Sequence, residues 1–328
     1  GELSVTVTLA LAGDTMLGRG VAKRIASEPD APLFSAEVRE FAAAADLFVL
    51  NLECCISERG EPWPEPGKPF FFRAPPRAAE ILVGLGVDCV TLANNHALDY
   101  GYDALADTFE HLRSAGVAWV GAGEDVEAAR APATIEARDF SLVVIGATDH
   151  PADFAATSSR PGVALADFRA GVPTWLADAI ASARGDAVIV TPHWGPNMIA
   201  EPLPAVRAAA GALLEAGATL VAGHSAHVFH GVEGRVLYDL GDFVDDYAVD
   251  SVLRNDLGLI FVVTLEDDGP RRIEALPLKL DYGETVVARG EEADWIRRRF
   301  ADACAAFGTT VTEEDGVFVV DYLSAATE

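Results

Sequence analysis

The chain has 328 residues, half of them hydrophobic, with 51 acidic against 24 basic side chains and a formal charge of −27. That length and apolar content suffice for a large buried core. The charge argues against nucleic acid and anionic membrane as partners, since both are recognised by neutralising phosphate with Lys and Arg.

No stretch approaches the roughly 20 apolar residues of a spanning helix. Residues 1–12 lack a basic n-region and read as a strand, not as a signal peptide. The four cysteines (Cys54, Cys55, Cys89 and Cys304) show no disulfide spacing, and a reducing, cytoplasmic setting is expected.

In chain order, 5–12 is a β-branched, apolar strand ending at Gly13-Asp14. A helix over 34–45 follows, then a strand over 47–52 ending at Glu53. Residues 57–76, rich in Pro, Gly and Glu, form a long irregular loop of the kind that often carries function. A helix over 76–85 leads to a strand over 87–92 and directly to Asn94-Asn95-His96. In 102–115, Leu105, Phe109 and Leu112 fall at i, i+4 and i+7, and Gly116 supplies the stop of a helix. Strands are expected over 117–120, 133–137 and 141–147, a helix over 174–184, and a buried strand over 187–191 running to His193. A helix over 204–216 precedes a strand over 219–222 that ends at Gly223-His224. Strands over 235–240, 257–265 and 272–280, a helix over 291–307 and a strand over 317–322 complete the chain. Early β/α alternation followed by consecutive strands favours one mixed α/β domain over 1–328, with two packed sheets and outer helices. Its core is expected over about 1–268, with a strand–helix–strand appendage over about 269–328.

Five apolar strands thus end in a carboxylate, amide or imidazole. Divalent metals need such oxygen and imidazole donors converging from several strands. Taken singly, Asp14 also suits a turn or a helix cap, and His193 a plain hydrogen bond. His224 and His227, three apart behind a glycine, suit chelation better. Of Asn95 and His96, adjacent after a strand, one would ligate while the other does acid–base work.

The stretches 12–21 (AGDTMLGRGV), 51–53, 92–101 (LANNHALDYG), 192–195, 223–227 and 238–244 (YDLGDFV) together resemble the CapA-like branch of the calcineurin-like metallophosphoesterase superfamily, named for poly-γ-glutamate capsule synthesis. The resemblance covers most of the chain. It implies a four-layer α/β/β/α sandwich with the metal site over the strand ends. It also implies Asp14, Glu53, Asn95, His193, His224 and His227 as ligands of one or two divalent ions (Mn, Mg, Ca, Zn or Fe), and His96 as the catalytic imidazole. The chain departs from the superfamily pattern in four ways. Met16 stands where its first motif has His, Glu53 where phosphatases carry Asp, and His224-x-x-His227 is one residue longer than the usual spacing. Asp242 stands where related sequences have Asn.

Three functions fit such a site. In hydrolysis, a metal acidifies water and polarises the oxygen under attack while His96 protonates the leaving group. In proton chemistry at carbon, one base removes a backbone Cα proton and an acid on the opposite face returns it, which inverts the centre. The CapA-like group includes peptide epimerases encoded with ribosomal peptides, including lasso peptides. The third function is non-catalytic, a metal-stabilised scaffold in polymer assembly. Epimerisation of a peptide or polyamide is favoured, since the phosphatase ligands are altered while spare acid–base groups remain. The acid and base are sought among His96, His230, His150 and Asp99. Arg19, Lys68 and Arg73 are candidates to hold a substrate carboxylate, and Asp242 to contact substrate. Trp194, with Trp63 and the Phe70–Phe72 run, is a candidate pocket wall. The acidic set Asp239, Asp242, Asp245, Asp246 and Asp250 suits either a cationic peptide or a solvated loop. Cys54 and Cys55 read as packing, because neighbours on an extended chain point to opposite faces.

Overall fold

The computed structural model describes residues 5–322. Two sheets face each other. In the larger, the strands Val7–Thr15, Leu47–Leu52, Cys89–Thr91 and Ala118–Val120 lie side by side and parallel. On the other flank of Val7–Thr15, Leu257–Glu266 runs antiparallel, followed outward by Gly269–Leu280, Val317–Asp321 and Thr312–Glu314. In the smaller sheet, Leu220–Ala222, Ala187–His193 and Phe140–Thr148 are parallel, with Ala133–Ala137 antiparallel at one edge.

Strand period decides the layers. Successive side chains point to opposite faces, so Leu9, Leu11 and Val49 meet Leu142, Val144, Ile189 and Leu220 in the core between the sheets. Their neighbours Ala10, Ala12, Phe48 and Leu50 pack outward beneath the helices Arg19–Ser27, Ala36–Ala43, Arg77–Leu85 and Gly101–Ala115. On the far side, Val143, Ile145 and Val190 pack under Thr174–Ser182 and Pro204–Glu215. The result is the expected α/β/β/α sandwich. The helix Arg19–Ser27 has no sequence expectation behind it, because only Val21 and Ile25 face inward.

The segment from 269 holds the strands Gly269–Leu280 and Thr285–Val287, the helix Gly290–Ala305, and the strands Thr312–Glu314 and Val317–Asp321, and it is built into the same core. Gly269–Leu280 pairs with Leu257–Glu266 along its length. The helix Gly290–Ala305 sends Ile296, Phe300 and Cys304 into the layer between the sheets. No helix among the described residues is long and apolar enough to cross a membrane.

Candidate metal centre

Parallel registry brings the polar strand ends to one edge. Asp14 lies opposite Asn51 on one side and Asp242 on the other. Gly13 permits this: a Cβ there would stand 1.8 Å from the Gly241 carbonyl oxygen, to which Asp14 N donates at 2.9 Å. In the smaller sheet His193 bridges to His224. The turn that follows needs positive φ at Ser225 and His227. Asp239 holds that turn in place, accepting from Ala226 N (2.8 Å) and Gly241 N (2.9 Å).

The sheets thereby deliver Asp14 and Glu53 from one side and His193, His224 and His227 from the other, all buried. His227 Nδ1 lies 3.1 Å from Asp14 Oδ2 and 2.8 Å from Asp242 Oδ1. His224 Nδ1 is 3.5 Å from Asp14 Oδ1, and His193 Nε2 is 3.5 Å from Glu53 Oε1. Asp14, Glu53 and His227 each place one donor atom within 4.8 Å of the others. Asn51 Nδ2 donates to Asp14 Oδ1 (2.7 Å) and Glu53 Oε2 (3.2 Å), and is itself anchored through Asn94 Nδ2 to Asn51 Oδ1 (2.9 Å). Thr148 Oγ1, 3.0 Å from His193 Nδ1, turns Nε2 toward Glu53.

Donor chemistry here fits a divalent cation. Glu53 Oε1, Asn95 Oδ1 and His224 Nδ1 are buried without a hydrogen-bond partner, a costly state unless an ion completes them. Carboxylate, amide and imidazole together suit Mn, Fe, Zn, Mg or Ca. The electrostatics agree. Burial alone would raise the Asp14 carboxyl, but His227, by hydrogen bond and charge, with His224 and His193, holds it below its ordinary range. Burial and the Asp14 charge push Glu53 well up. Burial lowers His224 to about 4 and His193 well below its usual value. Burial would lower His227 too, yet the carboxylates of Asp14, Glu53 and Asp239 raise it to about 9.

Beside this ring, His96 Nδ1 bonds Asp99 Oδ2 (2.6 Å), and its Nε2 is 4.0 Å from Glu53 Oε1. Burial outweighs Asp99 and lowers the His96 pKa. Lys68, almost fully buried, pairs with Asp99 (3.1 Å) and donates to the Asn95 carbonyl (2.9 Å). Lys68 therefore fixes the site and has no fork free for a substrate carboxylate. A cavity of about 480 Å³ opens above, lined by Asn95, Asp149, His150, His193, Ser225 and His227 among others.

Other candidates lie elsewhere. Trp194 is core: its Nε1 donates to the Tyr238 carbonyl (3.0 Å) and its ring packs on Phe168. Arg73 points away, donating to the Arg59 and Gly60 carbonyls and stacking on Tyr100. His230 donates to the Ile199 carbonyl (2.9 Å) and touches no member of the ring. Asp242 lies beneath His227, closed to substrate. Of the acidic set, Asp239, Asp242 and Asp245 are buried, Asp246 is half-buried and Asp250 alone is exposed. Arg19 is half-committed: Nε donates to Asp246 (3.1 Å), and the guanidinium lies over Phe70, Phe72 and Tyr247. Cys54 and Cys55 are buried, with the Cys54 thiol pushed up to about 12 by burial. Sequence reasoning assigned no role to Asp149, Thr148 and Tyr247. Thr148 ends the apolar strand Phe140–Thr148 and Asp149 follows it, the same signal that marks the other sites.

The family model described as "Bacterial capsule synthesis protein PGA_cap" matches residues 8–247. A Mycobacterium tuberculosis protein named "Probable polyglutamine synthesis accessory protein" is 30% identical, with 96% of each chain covered. Capsule biosynthesis protein CapA of Bacillus anthracis is 27% identical over 84% of this chain and 68% of its own length. Among solved structures, a phosphatase from Mycoplasma pneumoniae superposes with a TM-score of 0.53 at 13% identity, covering 84% of this chain and 95% of that one. That likeness concerns the fold alone. The strand-end motifs and the family match agree: the chain belongs to the bacterial capsule synthesis protein family PGA_cap.

Proposed function

We propose that this protein is a divalent-metal-dependent enzyme acting on a peptide or polyamide backbone, and that its chemistry is inversion at a Cα beside a backbone carbonyl. One observation carries the proposal: buried carboxylate and imidazole donors, several of them unpartnered, lie beside an open cavity lined by Asn95, His193 and His227. A bound divalent cation supplies Lewis acidity, drawing electron density from a carbonyl or phosphoryl oxygen. The chain's own groups do the rest. Asp99 accepts the Nδ1 proton of His96, so Nε2 is free to take or return a proton at the edge of the ring. Lys68 balances the Asp99 charge. Phe72 against His96, and Tyr247 against His227, exclude water from that side. The cavity accepts an extended backbone with Asn95 offering an amide. Relatives named for polyglutamine and capsule synthesis make an amide-linked glutamate polymer the first substrate class to try.

Hydrolysis of a phosphoester or amide is the second reading, favoured by the His96–Asp99 pair beside the ring, which could protonate a leaving group. Incubating a γ-linked glutamate oligomer in deuterated water with Mn²⁺, Mg²⁺ or Ca²⁺ separates the two. Deuterium gained at Cα without cleavage supports inversion. Cleavage of an aryl phosphodiester without exchange reverses the order. His96→Ala should abolish either activity while Mn²⁺ binding persists.

A further inference from the structure

A further His–Asp pair, His150–Asp149, stands beyond His193, at the far end of a chain of neighbours that starts at His96. His150 Nδ1 bonds Asp149 Oδ1, and Asp149 Oδ2 accepts from Gly195 N at 2.8 Å. Asp149 N in turn donates to the His193 carbonyl at 3.1 Å. Asp149 is thus tied to both the end of the strand Ala187–His193 and the turn after it. A carboxylate can only accept, so Nδ1 carries the proton and Nε2 presents its lone pair. Among the described residues no atom partners that Nε2, and the side chain, 38% exposed, lines the cavity. The path across the site runs from His96 Nε2 to Glu53 Oε1 (4.0 Å), Glu53 Oε1 to His193 Nε2 (3.5 Å), and the His193 ring to the His150 ring (4.9 Å). His96 comes from the larger sheet and His150 from the smaller.

We infer that His150 is a second proton-transferring group on the opposite side of the ring, with Asp149 as its positioning residue. Hydrolysis requires one such group, whereas inversion requires one on each face of the reacting carbon. One imidazole takes the Cα proton at Nε2, breaking Cα–H and leaving the electron pair delocalised into the adjacent carbonyl. The other, protonated at Nε2, forms the new Cα–H bond on the far face. Exchange with water resets both, and no oxidant or co-reactant is consumed. Asp149 stabilises the imidazolium as the carboxylate of a catalytic triad does.

This inference rests on the proposed backbone chemistry, and its test keeps the two apart. With Mn²⁺ and a γ-linked glutamate oligomer in deuterated water, His150→Gln should lose Cα exchange by about 100-fold or more. It should still bind Mn²⁺ as the wild type does in isothermal titration, since His150 is not among the donor residues. Asp149→Asn should lose exchange similarly and switch the His150 tautomer, read from nitrogen-15 shifts of the ring, with Mn²⁺ binding unchanged. Wild-type exchange that survives in both variants overturns the role of His150 while leaving the backbone reading intact. A ring whose nitrogen shifts place the proton on Nε2 in the wild type overturns the positioning by Asp149. Wild-type protein that exchanges no Cα proton overturns the parent reading and this inference with it.

Discussion

At the scale of single residues, the centre trades stability for a cation. Glu53 is driven up by burial and by the Asp14 charge, so without an ion the two carboxylates oppose each other. Replacing Glu53 by Gln should therefore stabilise the metal-free protein, by about 1–2 kcal/mol in urea unfolding with EDTA, while weakening Mn²⁺ binding. A destabilised apo variant would contradict this account. His230 provides a separate check. Burial depresses it from 6.5 to about 4, so the unfolded chain binds its proton first. The contribution is present above pH 6.5 and is lost as pH falls from there toward 4, by about 3 kcal/mol in all. Unfolding free energy of His230→Gln should show a shallower slope across that window than the wild type.

At the scale of elements, close backbone approach places the donors. Alanine at Gly13 would drive a Cβ into the Gly241 carbonyl and part the strand Val7–Thr15 from Asp242–Val244. A cost of about 3 kcal/mol, with weakened Mn²⁺ binding, is expected from denaturation and titration. Gly211, on the exposed face of Pro204–Glu215 with nothing near its missing Cβ, is the control: alanine there should stabilise by about 0.5–1 kcal/mol. Elements were legible in the sequence where apolar periodicity was strong, as in 102–115 and 187–193. Arg19–Ser27 was not, since two inward residues make no stripe. The strand-end motifs marked the larger part of the ring because parallel registry carries Asp14 and Glu53 to one edge of the larger sheet, and His193 and His224 to the facing edge of the smaller. Trp194 and Arg73 were misread because their backbone lies near the site while their side chains turn away. Asp239 and Asp245 sit in a run of acids that looks solvated until the turn they pin folds over them.

At the scale of the whole molecule, the C-terminal segment completes the sandwich. Phe300 packs against Phe229 and Phe261 between the sheets. Phe300→Ala should cost about 3–5 kcal/mol, and the protein should still unfold in one transition by both fluorescence and circular dichroism. Separate transitions would mean that the segment folds apart from the core. The net charge of −27 also matters here, since it draws cations toward the cavity in low salt. All of the chemistry depends on two sheets, distant in sequence, closing their polar edges around one ion. Isothermal titration of Mn²⁺ into EDTA-stripped protein tests this most directly. The account predicts saturable binding that vanishes in Asp14→Asn and in His224→Ala while both variants stay folded. Wild-type protein that takes up no Mn²⁺, Zn²⁺, Mg²⁺, Ca²⁺ or Fe²⁺, or variants that bind as it does, would contradict it.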